Sequence, residues 1–221
     1  MSLILNDVRK SFHQGDVEIQ VLKGLNVNIE PGQIVSIVGQ SGSGKSTLLS
    51  ILAGLERADR GDILVDKANL VPMTEQELTL FRAQNISIVF QQYHLIAHLT
   101  ALENVMLALE ILKMENPRVR AEEALRELGL GHRLEHFPSQ LSGGECQRVA
   151  IARALVVKPK ILLADEPSGN LDIHTGDKVM DVFFDVIRKH KITTILVTHS
   201  EALAKRCERT LRLEDGQLRE R

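Results

Sequence analysis

Apolar and polar residues alternate over residues 3–9 and 18–29, a two-residue period that predicts two half-buried strands. Pro31-Gly32 interrupts the pattern and predicts a turn. Residues 33–38 then carry IVSIV without alternation, as a strand covered on both faces does. Over 45–55 the period changes: Leu48, Leu49, Ile51 and Leu52 recur at helical spacing. A short strand is expected at 62–65, a helix at 74–84 and a strand at 86–90. ALENVMLALEILKM and PRVRAEEALRELGL read as two helices. The second opens on Pro117, whose missing N–H costs nothing at a helix start. QRVAIARALV follows as a helix and KILLAD as a buried strand. A helix at 175–189, the strand ITTILVT and a helix at 201–207 come next. TLRLEDGQLRE ends the sequence as a hairpin about Asp215-Gly216. Strands joined by helices predict an α/β fold with a mainly parallel sheet. The N-terminal strands and the last hairpin are expected to be antiparallel. Residues 93–145 form a helical insertion in a single domain spanning 1–221, whose remainder is 1–92 and 146–221.

Composition narrows the function without defining it. At 221 residues, 43% hydrophobic and 25% charged, the chain is long and apolar enough for a well-packed core. A formal net charge of -2 argues against a broad grip on nucleic acid, which needs excess basic charge. Two cysteines, Cys146 and Cys207, suit a reducing compartment and have no CxxC partner for a metal. The N-terminus lacks the pattern of a signal peptide. The apolar runs are too short to cross a bilayer, so action at a membrane requires another chain to supply the span.

Three motifs carry chemistry. Gly39-Gln40-Ser41-Gly42-Ser43-Gly44-Lys45-Ser46-Thr47 matches GxxxxGK[ST] between an expected strand and an expected helix. Glycines let the backbone curl so that its N–H groups point at a phosphate chain, and the helix start adds the positive end of its dipole. Lys45 is expected to reach the β- and γ-phosphates, Ser46 to ligate Mg²⁺, and Thr47 to touch the α-phosphate. The second motif is the pair Asp165-Glu166 at the end of ILLA, where open α/β sheets bind ligands. Asp165 suits the Mg²⁺ shell, and Glu166, one residue further on, suits the general base for an attacking water. The third is Leu141-Ser142-Gly143-Gly144-Glu145, a glycine-bearing helix start. It reads as an anion site or, more plainly, as a capping box closed by Ser142 and Glu145.

With LSGGE lying between a phosphate loop and an acidic pair, the sequence resembles the ATP-binding cassette (ABC) ATPases over essentially its whole length. LSGGE followed by QRVAIARAL is similar to the family signature, and Ser168-Gly169-Asn170-Leu171-Asp172 to its D-loop. Gln91 in IVFQQ is similar to the Q-loop glutamine, His199 in ILVTHS to the switch histidine, and Phe12 to the aromatic that stacks on adenine. The resemblance implies a P-loop NTPase core, RecA-like, with an N-terminal antiparallel β-subdomain and an α-helical subdomain. It implies ATP and Mg²⁺ as ligands, with Ser46, Gln91 and Asp165 around the metal. Catalysis would involve Lys45, Gln91, Glu166 and His199. It implies a head-to-tail homodimer formed on ATP binding, in which Ser142, Gly143, Gly144, Glu145 and Asp172 complete the partner's nucleotide site.

ADEPSGNLD, TALENV and LSGGE-x-QRVAIARAL resemble the clade of lipoprotein-release, macrolide-exporter and cell-division ATPases, and VFQQYHLIAHLTALENV is most similar to the first two. That likeness implies a cytoplasmic subunit held at the inner face of the membrane by an integral-membrane permease docking near residues 91–115. Ile96, Leu99, Leu102 and Val105 are candidate contacts, unless they belong to the core. A non-transport role in cell division is the alternative. A nucleotide kinase shares only the phosphate loop and has no use for LSGGE. Two positions depart from the family pattern: Cys146 replaces the usual polar residue, and Asp66-Lys67-Ala68 lacks a turn glycine.

Overall fold

The computed structural model describes residues 1–221. Its strands are β1 Leu3–Gln14, β2 Val17–Ile29, β3 Ile34–Val38, β4 Arg60–Val65, β5 Ala68–Asn69, β6 Ile86–Val89, β7 Ile161–Asp165, β8 Thr193–Val197, β9 Arg209–Glu214 and β10 Gln217–Glu220. Its helices are α1 Lys45–Leu52, α2 Glu75–Asn85, α3 Ala101–Ile111, α4 Pro117–Glu127, α5 Gly143–Leu155, α6 Ile173–Lys189 and α7 Glu201–Ala204. A four-stranded antiparallel sheet runs β2-β1-β4-β5. A six-stranded sheet runs β10-β9-β3-β8-β7-β6, parallel except at β10.

Side-chain alternation divides the central strands between two cores. On β7, Ile161 and Leu163 face the antiparallel sheet and α1, while Leu162 and Ala164 face α3, α5 and α6; on β8, Ile195 and Val197 oppose Leu196. A strand filled on both faces reads as an unbroken apolar run, which is why IVSIV and ILLA show no alternation. The helical core closes over Phe183 and Phe184, both fully buried. Burial of each contributes about 2–3 kcal/mol.

The elements match the sequence expectations with local differences. The hairpin at Asp215-Gly216 forms, but β9 pairs parallel with β3, so the hairpin extends the central sheet. α1 stops at Leu52 rather than 55, where Gly54 turns the chain at φ 65° and its carbonyl accepts from Arg82 Nη1 at 2.8 Å. α7 ends at Ala204 rather than 207. Asp66 supplies the left-handed turn itself, at φ 52°, a conformation that aspartate tolerates better than most residues.

Capping chemistry sets the helix starts. Thr74 with Glu77, Thr100 with Glu103, and Ser142 with Glu145 each close a capping box. Asn104, wholly buried, accepts from the Ile96 N–H and donates to the carbonyls of Ile96, Leu99 and Thr100, tying residues 96–100 to α3. Leu102 and Val105 are buried in the helical core and unavailable to a partner, whereas Ile96 and Leu99 are half-buried.

Candidate nucleotide site

β3, β7 and β8 lie side by side, so their C-terminal ends deliver three loops to one edge of the sheet. A cavity of about 460 Å³ opens there, lined by Phe12, Val21, Gly39, Ser41, Gly42, Gly44, Lys45, Ser46, Thr47, Asp165, Glu166 and His199. Residues as distant in sequence as Lys45 and His199 thus meet because parallel strands point the same way. Val21 carried no sequence signal; it reaches the wall because β2 packs beside the loop.

The loop after β3 has the backbone its glycines predict. Gly42 and Gly44 sit at φ 79° and 100°, where a side chain is strained. A Cβ on Gly44 would also lie 2.8 Å from Val21 Cγ1. Lys45 is buried and donates Nζ to the carbonyls of Gly39 at 3.0 Å and Gln40 at 2.8 Å. Its charge is therefore held at the cavity wall by neutral acceptors. α1 has no side-chain cap and no acidic residue in its first turn, so its amides remain available. Ser43 Oγ is buried without a partner. Gln40 and Ser43 line a second depression of about 340 Å³ behind the loop.

The carboxylates differ. Asp165 is half-buried at the end of β7; burial and the neighbouring Glu166 charge push its carboxyl up, and Lys45 partly offsets them. Glu166 sits at φ 43°, a strained conformation costing about 1–3 kcal/mol, pinned by its N–H donating to the Val197 carbonyl at 2.9 Å. The kink points its carboxylate at His199, whose Nδ1 lies 2.6 Å from Glu166 Oε2. A carboxylate accepts and does not donate, so the imidazole presents an N–H there. The His199 side chain is 71% exposed and that of Glu166 only 20%, so the histidine forms the rim.

The remaining predicted residues lie outside this cavity. Ser142 is exposed at the start of α5, with Gly143 and Gly144 behind it. Ser142 Oγ accepts from the Glu145 N–H, and the Glu145 carboxylate accepts from the Ser142 N–H at 2.8 Å and from Arg133 Nε at 2.8 Å. These donors hold the Glu145 pKa down at about 2, the Ser142 backbone bond having the largest effect. Asp172 caps α6 and lines an adjoining depression of about 220 Å³ that shares Glu166 and His199 with the main cavity. Gln91 does not line the cavity: its amide is bonded to Asn170. Another depression, of about 690 Å³, lies between α4 and the ends of α5 and α6. It holds none of the predicted site residues, and its Glu127 is already paired with Lys189 and His190.

A glycine-lined phosphate cradle beside an acidic strand end is shared by many nucleotide-binding proteins, so geometry alone leaves the family open. The ABC transporter family matches residues 22–169. The chain is 47% identical over 219 residues to the uncharacterized ABC transporter ATP-binding protein YbbA of Escherichia coli (strain K12), covering 98% of this chain and 96% of that protein. The chain belongs to the ABC transporter family. It is also 46% identical to the lipoprotein-releasing system ATP-binding protein LolD of Geobacter metallireducens, over 96% of this chain and 95% of the relative. A solved structure agrees: the ATP-binding cassette MJ0796, described as a dimeric post-hydrolysis state bound to ADP and Pi, superposes with a TM-score of 0.89 at 42% identity. That match covers 99% of this chain and 97% of the other. The fold is thus the ABC ATPase fold, with its P-loop NTPase core. No helix is long and apolar enough to cross a membrane.

Proposed function

We propose that the chain binds and hydrolyses ATP with Mg²⁺ as a head-to-tail dimer and drives a separate integral-membrane permease. The observation that carries this is the convergence of Lys45, Ser46, Asp165, Glu166 and His199 on one cavity at the ends of β3, β7 and β8. The site fits its ligands: the α1 amides have no side-chain cap, Ser43 Oγ is buried without a partner, and Lys45 meets only neutral carbonyls. Ser46 and Asp165 would hold Mg²⁺, with Gln91 joining them only after leaving Asn170. The ion, when bound, neutralises phosphate charge that builds up during transfer.

Glu166 accepts a proton from the attacking water. The water oxygen bonds to the γ-phosphorus as the bond to the ADP oxygen breaks, giving ADP and phosphate. His199 holds the Glu166 carboxylate at the required angle and meets the γ-phosphate, Lys45 stabilises the transferring charge, and Phe12 stacks on adenine. Each chain has one complete cradle plus one further helix start at Ser142, and a two-fold axis pairs the two kinds. The dimeric description of MJ0796 supports that arrangement.

The permease would dock near residues 91–115. With Leu102 and Val105 in the core, its contacts fall to Ile96 and Leu99 and to the exposed Phe90 and Ile111. The relation to a lipoprotein-releasing system ATP-binding protein favours a permease of the lipoprotein-release or macrolide-export type. Such a partner holds the chain at the inner face of the membrane. Residues 93–145 would then act as the helical subdomain that moves with it.

Phosphate release by the purified chain and by Glu166→Gln tests the hydrolytic reading. The variant should bind ATP, lose turnover by about 10²- to 10⁴-fold and accumulate as a dimer. Turnover at the wild-type rate in Glu166→Gln removes Glu166 as the base.

A further inference from the structure

The segment Gln91–His94 follows β6 and is fastened on two sides. Gln91 Nε2 donates to Asn170 Oδ1 at 3.2 Å, and Asn170 Nδ2 donates back to the Gln91 carbonyl at 3.0 Å. Two and three residues on, Arg153 of α5 donates Nη2 to the Tyr93 carbonyl at 2.9 Å and Nη1 to that of His94 at 2.7 Å. The Tyr93 hydroxyl also packs on Gly143, where a Cβ would approach it to 2.9 Å.

These fastenings differ in strength. The arginine bonds are charge-assisted and grip the backbone. The amide pair is neutral and solvent-accessible, so it is the weaker one. The Gln91 side chain can therefore swing away while the backbone at 93–94 stays on α5. Gly169 lies under the same amide: a Cβ there would come within 2.7 Å of Gln91 Nε2. Its φ is not positive, so alanine fits that backbone and conflicts only with the end of a flexible side chain.

We propose that Asn170 is a positioning residue whose carboxamide holds Gln91 against residues 168–171, outside the nucleotide cavity, so that binding of Mg²⁺-ATP has to break this hold. The proposal rests on the ATPase reading above. Swinging the side chain away breaks only the bond from Gln91 Nε2 to Asn170 Oδ1, and one neutral exposed hydrogen bond shifts an equilibrium by about threefold to tenfold. Loss of the hold lowers the half-saturating Mg²⁺-ATP concentration by that factor, because less of the binding energy goes into releasing Gln91.

The test is steady-state phosphate release against Mg²⁺-ATP for wild type, Asn170→Ala and Gly169→Ala, each also in a Gln91→Ala background. Asn170→Ala removes the hold by deleting its bonds and Gly169→Ala by displacing the amide, so both should lower half-saturation. Asn170→Asp keeps an acceptor for Gln91 Nε2, so its half-saturation should stay closer to wild type than that of Asn170→Ala. In Gln91→Ala the shifts should shrink to within about twofold, since there is no amide left to hold. A residue that merely supports the D-loop would instead depress turnover whatever stands at position 91. An unchanged or raised half-saturation in both variants, or a shift that survives Gln91→Ala, overturns the proposal. If a variant turns over too slowly, equilibrium titration with a fluorescent ATP analogue reads the same shift. Wild-type protein with neither turnover nor nucleotide binding would strike down the ATPase reading instead, a different outcome from normal turnover with unmoved half-saturation.

Discussion

α1 and α5 begin alike, with glycines and a hydroxyl residue, yet they treat their unpaired amides in opposite ways. The α1 start has left-handed Gly44 as its N-cap, no side-chain cap and no acidic residue in its first turn, and it places Lys45 beside the opening. The α5 start is closed by its own side chains, with Ser142 and Glu145 exchanging bonds and Arg133 neutralising the carboxylate. The first start therefore lacks an anion, and the second already contains one. A glycine-rich helix start does not by itself define an anion site; the residue three positions along decides. The α5 start fits a supporting role at a nucleotide held mainly by another copy's phosphate loop.

The largest effect should come from the open start. Lys45→Ala removes its cation and should weaken ATP binding by about tenfold to a hundredfold in an equilibrium titration. Glu145→Gln should leave binding to a single chain within about twofold. Equal losses would erase the distinction between the two helices.

Next comes Ser142→Arg, which places a bulky cation on the exposed α5 start. Single-chain ATP affinity should change little, while turnover falls by about tenfold or more and the ATP-dependent dimer disappears from light scattering. Parallel loss of binding and turnover would count against a site shared between chains.

The smallest effect concerns the closed start alone. Glu145→Gln should cost about 1 kcal/mol of stability in denaturant unfolding at neutral pH. The Glu145 carboxyl titrates at about 2 in the folded chain against an ordinary value of 4.5. Its contribution is therefore complete above about pH 4.5 and is lost as pH falls toward 2. The gap between wild type and variant should be flat above that range and close below it. A gap that widens in acid would mean that the carboxylate is not held by the cap.

Much of this was legible locally. Element order, the phosphate loop, the acidic pair and the Ser142–Glu145 box depend on residues within a few positions of one another, where period, glycine content and capping chemistry act directly. The helix ends were less so: 45–55 overruns because Leu55 continues the apolar period, while the left-handed Gly54 beside Arg82 ends the helix. The apolar character of Leu102 and Val105 was equally visible, but periodicity shows only that a face is covered and does not identify what covers it.

From the residues alone came a chain that alternates strands and helices, a cradle for phosphates and a carboxylate positioned to take a proton. Tertiary structure decided the strand order that brings Lys45, Asp165 and His199 to one edge. It also decided the pairing of Gln91 with Asn170 across 79 residues. Hydrogen bonds between distant segments depend on how sheets and helices pack, and a local pattern holds no record of which surfaces will meet.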